Sequence, residues 1–179
     1  MAFTRVRKPL RPSLAVLALV GLLSHEARSQ YQVQTVALAG GPTIPRAPFA
    51  DSMQSGFHVT GGLGFHFGEV FTIRAEAMYQ QLTRKSAEQP RTNQMVGFSG
   101  AAEIALLGES GPYVLGGYGF YQTLKSGSVP ASQWKPGYNA GGGWRLFFPR
   151  FSIFGEVRLH RLRGAGEPAM LPFSVGIRV

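Results

Sequence analysis

The sequence predicts an all-β fold: an eight-stranded antiparallel up-and-down transmembrane β-barrel that follows a cleaved N-terminal signal peptide. Three observations predict it. Residues 1–29 read as an export signal. The remainder breaks into segments of about ten residues with alternating apolar and polar character, separated by Gly, Pro, Ser and Asn clusters. The connections between those segments alternate between very short and long.

The export signal comes first. Arg5, Arg7, Lys8 and Arg11 form a positive start, Ser13 to Leu23 is an uncharged apolar run, and Ala27-Arg28-Ser29 offers a small-residue cleavage pattern. That run is shorter than the roughly 20 residues a membrane-spanning helix needs. The division is therefore 1–29 signal peptide and 30–179 barrel domain.

Removing the signal changes the charge argument. The whole chain has Lys+Arg 18 against Asp+Glu 9. Residues 30–179 keep 13 basic and 8 acidic groups, so much of the basicity belongs to the leader and its flank. A nucleic-acid-binding reading loses its support with it. There is no cysteine, so no disulfide contributes to stability. Nor does an apolar run of about 18 residues follow the leader, and a chain that enters lipid without helices must close into a barrel to satisfy its backbone polar groups.

Eight strands are expected at Gln32–Ala39, Ser55–Phe67, Val70–Leu82, Gln94–Leu107, Pro112–Leu124, Gly137–Phe148, Phe151–Arg163 and Leu171–Val179. Between them Gly68-Glu69, Gly108 to Gly111 and Pro149-Arg150 are short turns. Residues 40–54, 83–93, 125–136 and 164–170 are the longer connections. Short turns at one end and long loops at the other is the pattern of bacterial membrane barrels, with the short turns on the periplasmic side.

The faces separate cleanly in most strands. Phe71, Ile73, Ala75, Ala77 and Tyr79 share one face of the third strand; Thr72, Arg74, Glu76, Met78 and Gln80 share the other. In the seventh, Phe151, Ile153, Val157 and Leu159 oppose Ser152, Glu156, Arg158 and His160. A soluble barrel would turn the apolar face inward. Bulky aromatics near strand ends and small residues on the polar face favour the inverse, with apolar side chains toward lipid. The fifth strand, Tyr113 to Thr123, does not alternate, and its orientation stays open.

At this point the chain resembles the small outer-membrane β-barrel family of eight strands, the OmpA/OmpX-like proteins. The likeness rests on Gly40-Gly41-Pro42-Thr43-Ile44-Pro45 with Phe49-Ala50-Asp51, and on Gly56-Phe57-His58-Val59-Thr60-Gly61. It rests also on Gly111-Pro112-Tyr113-Val114-Leu115-Gly116-Gly117-Tyr118-Gly119 and on the closing segment Leu171 to Val179. The resemblance implies an outer-membrane location, contact with outer-membrane lipid and handling by the outer-membrane assembly machinery. That machinery reads a terminal aromatic in such proteins; this chain ends in Val179.

The inward set is charged: Arg74, Glu76, Glu103, Arg145, Glu156, Arg158 and Arg178. Four arginines and three glutamates in a narrow interior imply an ion-pair network, since isolated buried charges are very costly. The interior of an eight-stranded barrel is just wide enough for side chains, so a plug rather than a solute pore is expected. Arginine neighbours would hold the glutamates ionised, which argues against general-acid chemistry.

No cofactor or metal is expected: His58 and His66 lie eight residues apart on one strand, too far to share an ion. Gly61-Gly62-Leu63-Gly64 and Gly141-Gly142-Gly143 sit within strands and lack the following helix of a phosphate loop. A lipid-modifying enzyme would need His160 and a loop serine such as Ser86, Ser126 or Ser128, and no spacing joins them. At the long-loop end, Arg84, Lys85, Arg91, Arg161 and Arg163 form an expected basic rim for anionic lipid, lipopolysaccharide in particular. A structural or surface-interaction role without catalysis is the resulting expectation. Its rivals are a lipid-modifying barrel enzyme and a soluble periplasmic barrel that holds an apolar ligand inside.

Overall fold

The computed structural model describes residues 34–85, 91–124, 131–164 and 168–179. The signal-peptide reading of residues 1–29 lies outside them. Eight antiparallel strands close on themselves in sequence order. They are β1 (Gln34–Arg46), β2 (Met53–Phe67), β3 (Phe71–Arg84), β4 (Arg91–Ala105), β5 (Gly111–Thr123), β6 (Lys135–Phe148), β7 (Phe151–Leu162) and β8 (Ala169–Arg178). Closure is made by β1 against β8, ending where Val36 and Val179 exchange backbone hydrogen bonds of 2.7 and 2.9 Å. A closed barrel leaves no strand edge unpaired.

The strands follow from the period-two pattern and from the turns. β2 and β3 are joined at Gly68, whose φ of +69° is a left-handed conformation that glycine takes without strain. β6 and β7 are joined through Pro149 and Arg150 alone. A single 3-10 turn, Phe49–Asp51, interrupts the connection from β1 to β2 at the opposite end.

One boundary differs substantially from the sequence reading. β1 does not stop at Ala39 but runs through Gly40-Gly41-Pro42-Thr43-Ile44-Pro45 to Arg46, so the expected loop 40–54 shrinks to 47–52. Proline cannot donate to a ladder and normally marks a strand edge or end. Here the pairing of β1 with β8 lapses at Gly41 and Pro42 and resumes at Thr43 with Pro172. At Gly41 a side chain would lie 2.1 Å from the Phe173 carbonyl oxygen. Glycine lets β8 approach there, and the strand continues past its own interruption.

The faces are settled by burial. Along β3 the polar side chains Thr72, Arg74, Glu76 and Gln80 are buried and Phe71, Ile73, Ala75 and Ala77 are exposed. β7 repeats this, with Ser152, Glu156, Arg158 and His160 inside and Phe151, Ile153, Val157 and Leu159 outside. β5 is now oriented: Tyr113, Leu115 and Tyr121 face inward, Val114, Tyr118 and Phe120 outward. The soluble-barrel alternative, which needs the apolar face inside, is overturned by this distribution.

On the outer wall, aromatic pairs mark both ends. Phe67–Phe71 and Phe148–Phe151 lie beside short turns, with ring centroids 5.8 and 4.9 Å apart. Phe57–Tyr79 and Phe98–Trp134 lie toward the long loops, at 6.4 and 5.8 Å. From Phe71 to Tyr79 the chain rises about 20 Å along the barrel axis, at about 3.3 Å per residue and a tilt of about 40°. Two aromatic girdles bounding an apolar band of this height are the mark of a membrane barrel. Among the described residues no helix is long and apolar enough to cross a membrane.

Candidate functional site: the charged interior and the basic rim

The interior is layered along its axis. Nearest the short turns, His66 sits between Thr35 (Nε2 to Oγ1 3.1 Å) and Thr72 (Nδ1 to Oγ1 2.9 Å). Above it the structure brings together all seven charged residues, Arg74, Glu76, Glu103, Arg145, Glu156, Arg158 and Arg178, each nearly inaccessible to solvent. Five strands supply one or two each because the inward positions of β3, β4, β6, β7 and β8 fall at the same height.

Arg74 is the hub. Its Nη1 donates to Glu103 at 3.0 Å and to Glu156 at 2.7 Å, and its Nη2 lies 2.5 Å from Glu76. Arg158 joins Glu76 to Glu156, reaching the latter through Nη2 at 2.5 Å and Nε at 3.0 Å. Glu103 gathers the other two arginines: Arg145 Nη1 donates to it at 2.9 Å and Arg178 Nη2 at 2.9 Å. Arg145 also donates from Nε to the Glu109 carbonyl at 2.8 Å. The planar fork of arginine makes such shared, two-pronged bonding feasible where lysine would not.

Two aromatics complete the layer, and neither stood out in the sequence. Phe154 points inward from β7, beneath the guanidinium groups of Arg178 and Arg74 at 5.5 and 5.8 Å from its ring centre. Tyr113 donates its hydroxyl to Glu156 at 2.9 Å and lies under Arg145. Both give desolvated cations a π face as well as carboxylate partners. Tyr113→Phe should cost the folded barrel about 1.5–3 kcal/mol, the range for a hydrogen bond to a charged group, measured by urea unfolding in lipid vesicles.

Higher up, His58 is held by Thr43 (Nδ1 to Oγ1 3.0 Å) and Ser174 (Nε2 to Oγ 2.8 Å). His160 accepts or donates at Nδ1 to the Tyr121 hydroxyl at 2.9 Å. Gln80 donates to the Met170 sulfur at 2.7 Å, and its Oε1, like both amide atoms of buried Asn139, has no protein partner. Met78, Leu82, Met95, Tyr121, Leu162 and Met170 then close the interior under Phe49 of the 3-10 turn.

The Ser–His chemistry raised by the sequence takes a different form. His160 is buried and bonded to Tyr121, while Ser86, Ser126 and Ser128 lie outside the described residues. The serine–histidine contact that does exist, Ser174 with His58, has Thr43 rather than a carboxylate on the other ring nitrogen. A nucleophile needs an oriented base, and this pair has a hydroxyl where an orienting acid belongs. Among the described residues no group of three or more His, Cys, Asp or Glu could hold a metal ion.

No protein-family model matches the chain, and no curated protein sequence matches it. Solved structures do. Neisserial surface protein A (NspA) superposes with a TM-score of 0.58 at 15% identity, covering 82% of this chain and 95% of that one. Ail, the attachment invasion locus protein of Yersinia pestis, crystallised with the heparin analogue sucrose octasulfate, gives 0.52 at 14% identity, covering 84% and 100%. The fold is that of the small eight-stranded outer-membrane β-barrels. At such identities the likeness carries the fold and nothing finer.

In this outer-membrane-type barrel the residues of the basic rim spread over four settings. Arg84 ends β3 and pairs in register with Arg91, the first residue of β4. Lys85 is tied down: its backbone N–H donates to Ser52 and its Nζ to the Ala50 carbonyl, both at 2.9 Å. Arg163 is exposed beyond the end of β7 and donates its backbone N–H to Pro136. Arg161 is no loop residue but stands on the outer wall of β7. Its outward direction follows from parity with Leu159 and Val157, a signal present in the sequence but masked there by its position near the end of the strand.

Proposed function

We propose that this chain is an outer-membrane protein with a structural or surface-interaction role, its interior plugged by the arginine–glutamate cluster, and no catalysis. One observation carries the reading: charged side chains fill the inside while a band of exposed Leu, Ile, Val, Phe, Tyr and Trp wraps the outside. In water that arrangement would expose a large apolar belt and bury seven charges for no gain. In a bilayer it is the stable one.

The plug reading draws on the same interior. Around the ion pairs, Phe154, Tyr113 and the methionine–leucine cluster the described interior holds small cavities, one of about 20 Å³ beside His58, Ser174 and Glu156 and one of about 50 Å³ under Phe49. Spaces of that size favour a plug over a path for a diffusing solute. At the long-loop end, Arg84, Lys85, Arg91, Arg161 and Arg163 favour anionic partners, with phosphates of lipopolysaccharide as the nearest candidates. That Ail binds a polysulfated sugar supports the idea that such a barrel end can face polyanions.

Gel migration with and without boiling, on protein recovered in detergent, tests the membrane reading. A folded closed barrel should run as a compact band that shifts on heating, and it should fractionate with outer membranes. A freely soluble product with no heat shift would end this proposal.

A further inference from the structure

Across the outer faces of all eight strands, the described residues include only two charged side chains, Arg46 and Arg161. They do not lie at random. Arg46 of β1 pairs with Ala169 of β8, and Ala169 pairs with Arg161 of β7, so the three form one row at the long-loop edge. With strands about 4.8 Å apart, the two arginine backbones lie about 10 Å from one another, with only a methyl group between them. The row directly below is apolar, with Ile44 paired to Leu171 and Leu159 beside it. Arg46, Pro48, Ala169 and Arg161 above, and Leu159 and Leu171 below, line an open groove of about 570 Å³.

We propose that this groove seats a phosphorylated, acylated glycolipid of the outer leaflet, with one phosphate between Arg46 and Arg161 and an acyl chain along Leu159 and Leu171. The inference rests on the membrane reading above and narrows the diffuse basic rim to one seat. Two arginines carried in one row on either side of an alanine can share the oxygens of a single phosphate, which accepts several charge-assisted bonds at once. The surrounding wall is uncharged, so the pair sits where the apolar band gives way to headgroups, the depth at which a wall-facing arginine costs least. Short turns mark the periplasmic side, so this edge meets the outer leaflet. There the abundant phosphate-bearing lipid is lipopolysaccharide, whose several acyl chains suit a groove that opens downward onto Leu and Ile.

Binding of lipid A to the full-length folded protein in detergent tests the seat, with lipid A stripped of its phosphates and phosphatidylglycerol as comparison ligands. Arg46→Gln with Arg161→Gln should weaken lipid A binding about tenfold while the heat-shifted band remains. Dephosphorylated lipid A should bind the unaltered protein about tenfold more weakly, and equally to both forms. Undiminished binding by the double variant overturns the seat, as does equal affinity for the dephosphorylated lipid. Tighter binding of phosphatidylglycerol than of lipid A overturns the glycolipid assignment. A second variant, Arg84→Gln, Lys85→Gln and Arg163→Gln together, separates the two claims. If it loses binding and the Arg46/Arg161 variant does not, the broad rim stands and the seat falls. Absence of the heat-shifted band in the unaltered protein would bring down the membrane reading and the seat with it.

Discussion

Glu103→Leu should be the most damaging single substitution in the barrel, lowering its unfolding free energy by about 3–5 kcal/mol, the cost of breaking a buried pair from one side. The reason is how the charges share partners. Remove Arg74, and Glu76 and Glu156 still hold Arg158 while Glu103 still holds Arg145 and Arg178. Remove Glu103, and Arg145 and Arg178 lose the carboxylate that each of them bonds. The interior then keeps four arginines and two glutamates. Arg74→Met should accordingly be the milder change although Arg74 makes as many ion pairs as Glu103, three each. Urea titration of vesicle-inserted protein, followed by Trp fluorescence and by loss of the compact gel band, measures both. Equal losses for the two variants would show that the layer is held by packing around Phe154 and Tyr113 rather than by charge sharing.

Ala75→Arg should be nearly as costly, at about 2–4 kcal/mol, the penalty for a lipid-facing arginine near the bilayer midplane. Ala75 lies on the outer face of β3, midway between Phe71 and Tyr79. The same assay in detergent micelles should show a smaller loss, because a micelle deforms around a charge more readily than a bilayer. Arg46 and Arg161 show what the wall tolerates at its edge; Ala75 asks the same of its centre. A neutral outcome in vesicles would mean that this face does not meet lipid.

The two variants test complementary halves of one arrangement. Glu103 reports on the charged layer and Ala75 on the apolar belt, and each residue is one step in a period-two alternation that turns its neighbour the other way. A one-residue slip of β3 against β4 would turn Arg74 and Glu76 into lipid and Ile73 and Ala75 inside. Register is therefore held by the same charges that fill the interior.

Much of this was legible in the sequence because the information is local. Alternation along β3 and β7, and the short turns Gly68-Glu69 and Pro149-Arg150, need only neighbouring residues to be recognised. So does the membership of Arg74, Glu76, Glu103, Arg145, Glu156, Arg158 and Arg178 in the polar face. By itself the sequence thus determined eight strands, their direction, which faces are polar, and that the inner charges must meet.

Tertiary structure decided the rest, because it depends on what lies across the sheet. β1 runs on to Arg46 through two prolines since β8 accepts an interrupted ladder at Gly41 and Pro42. β5, whose glycines blur its own alternation, is oriented by register, with Leu115 opposite Glu103 and Gly143 opposite Tyr113. Arg46 and Arg161 are 115 positions apart in sequence and become neighbours in one row through Ala169. Which arginine serves which glutamate is likewise fixed only when the cylinder closes, because closure sets the height at which each inward side chain arrives.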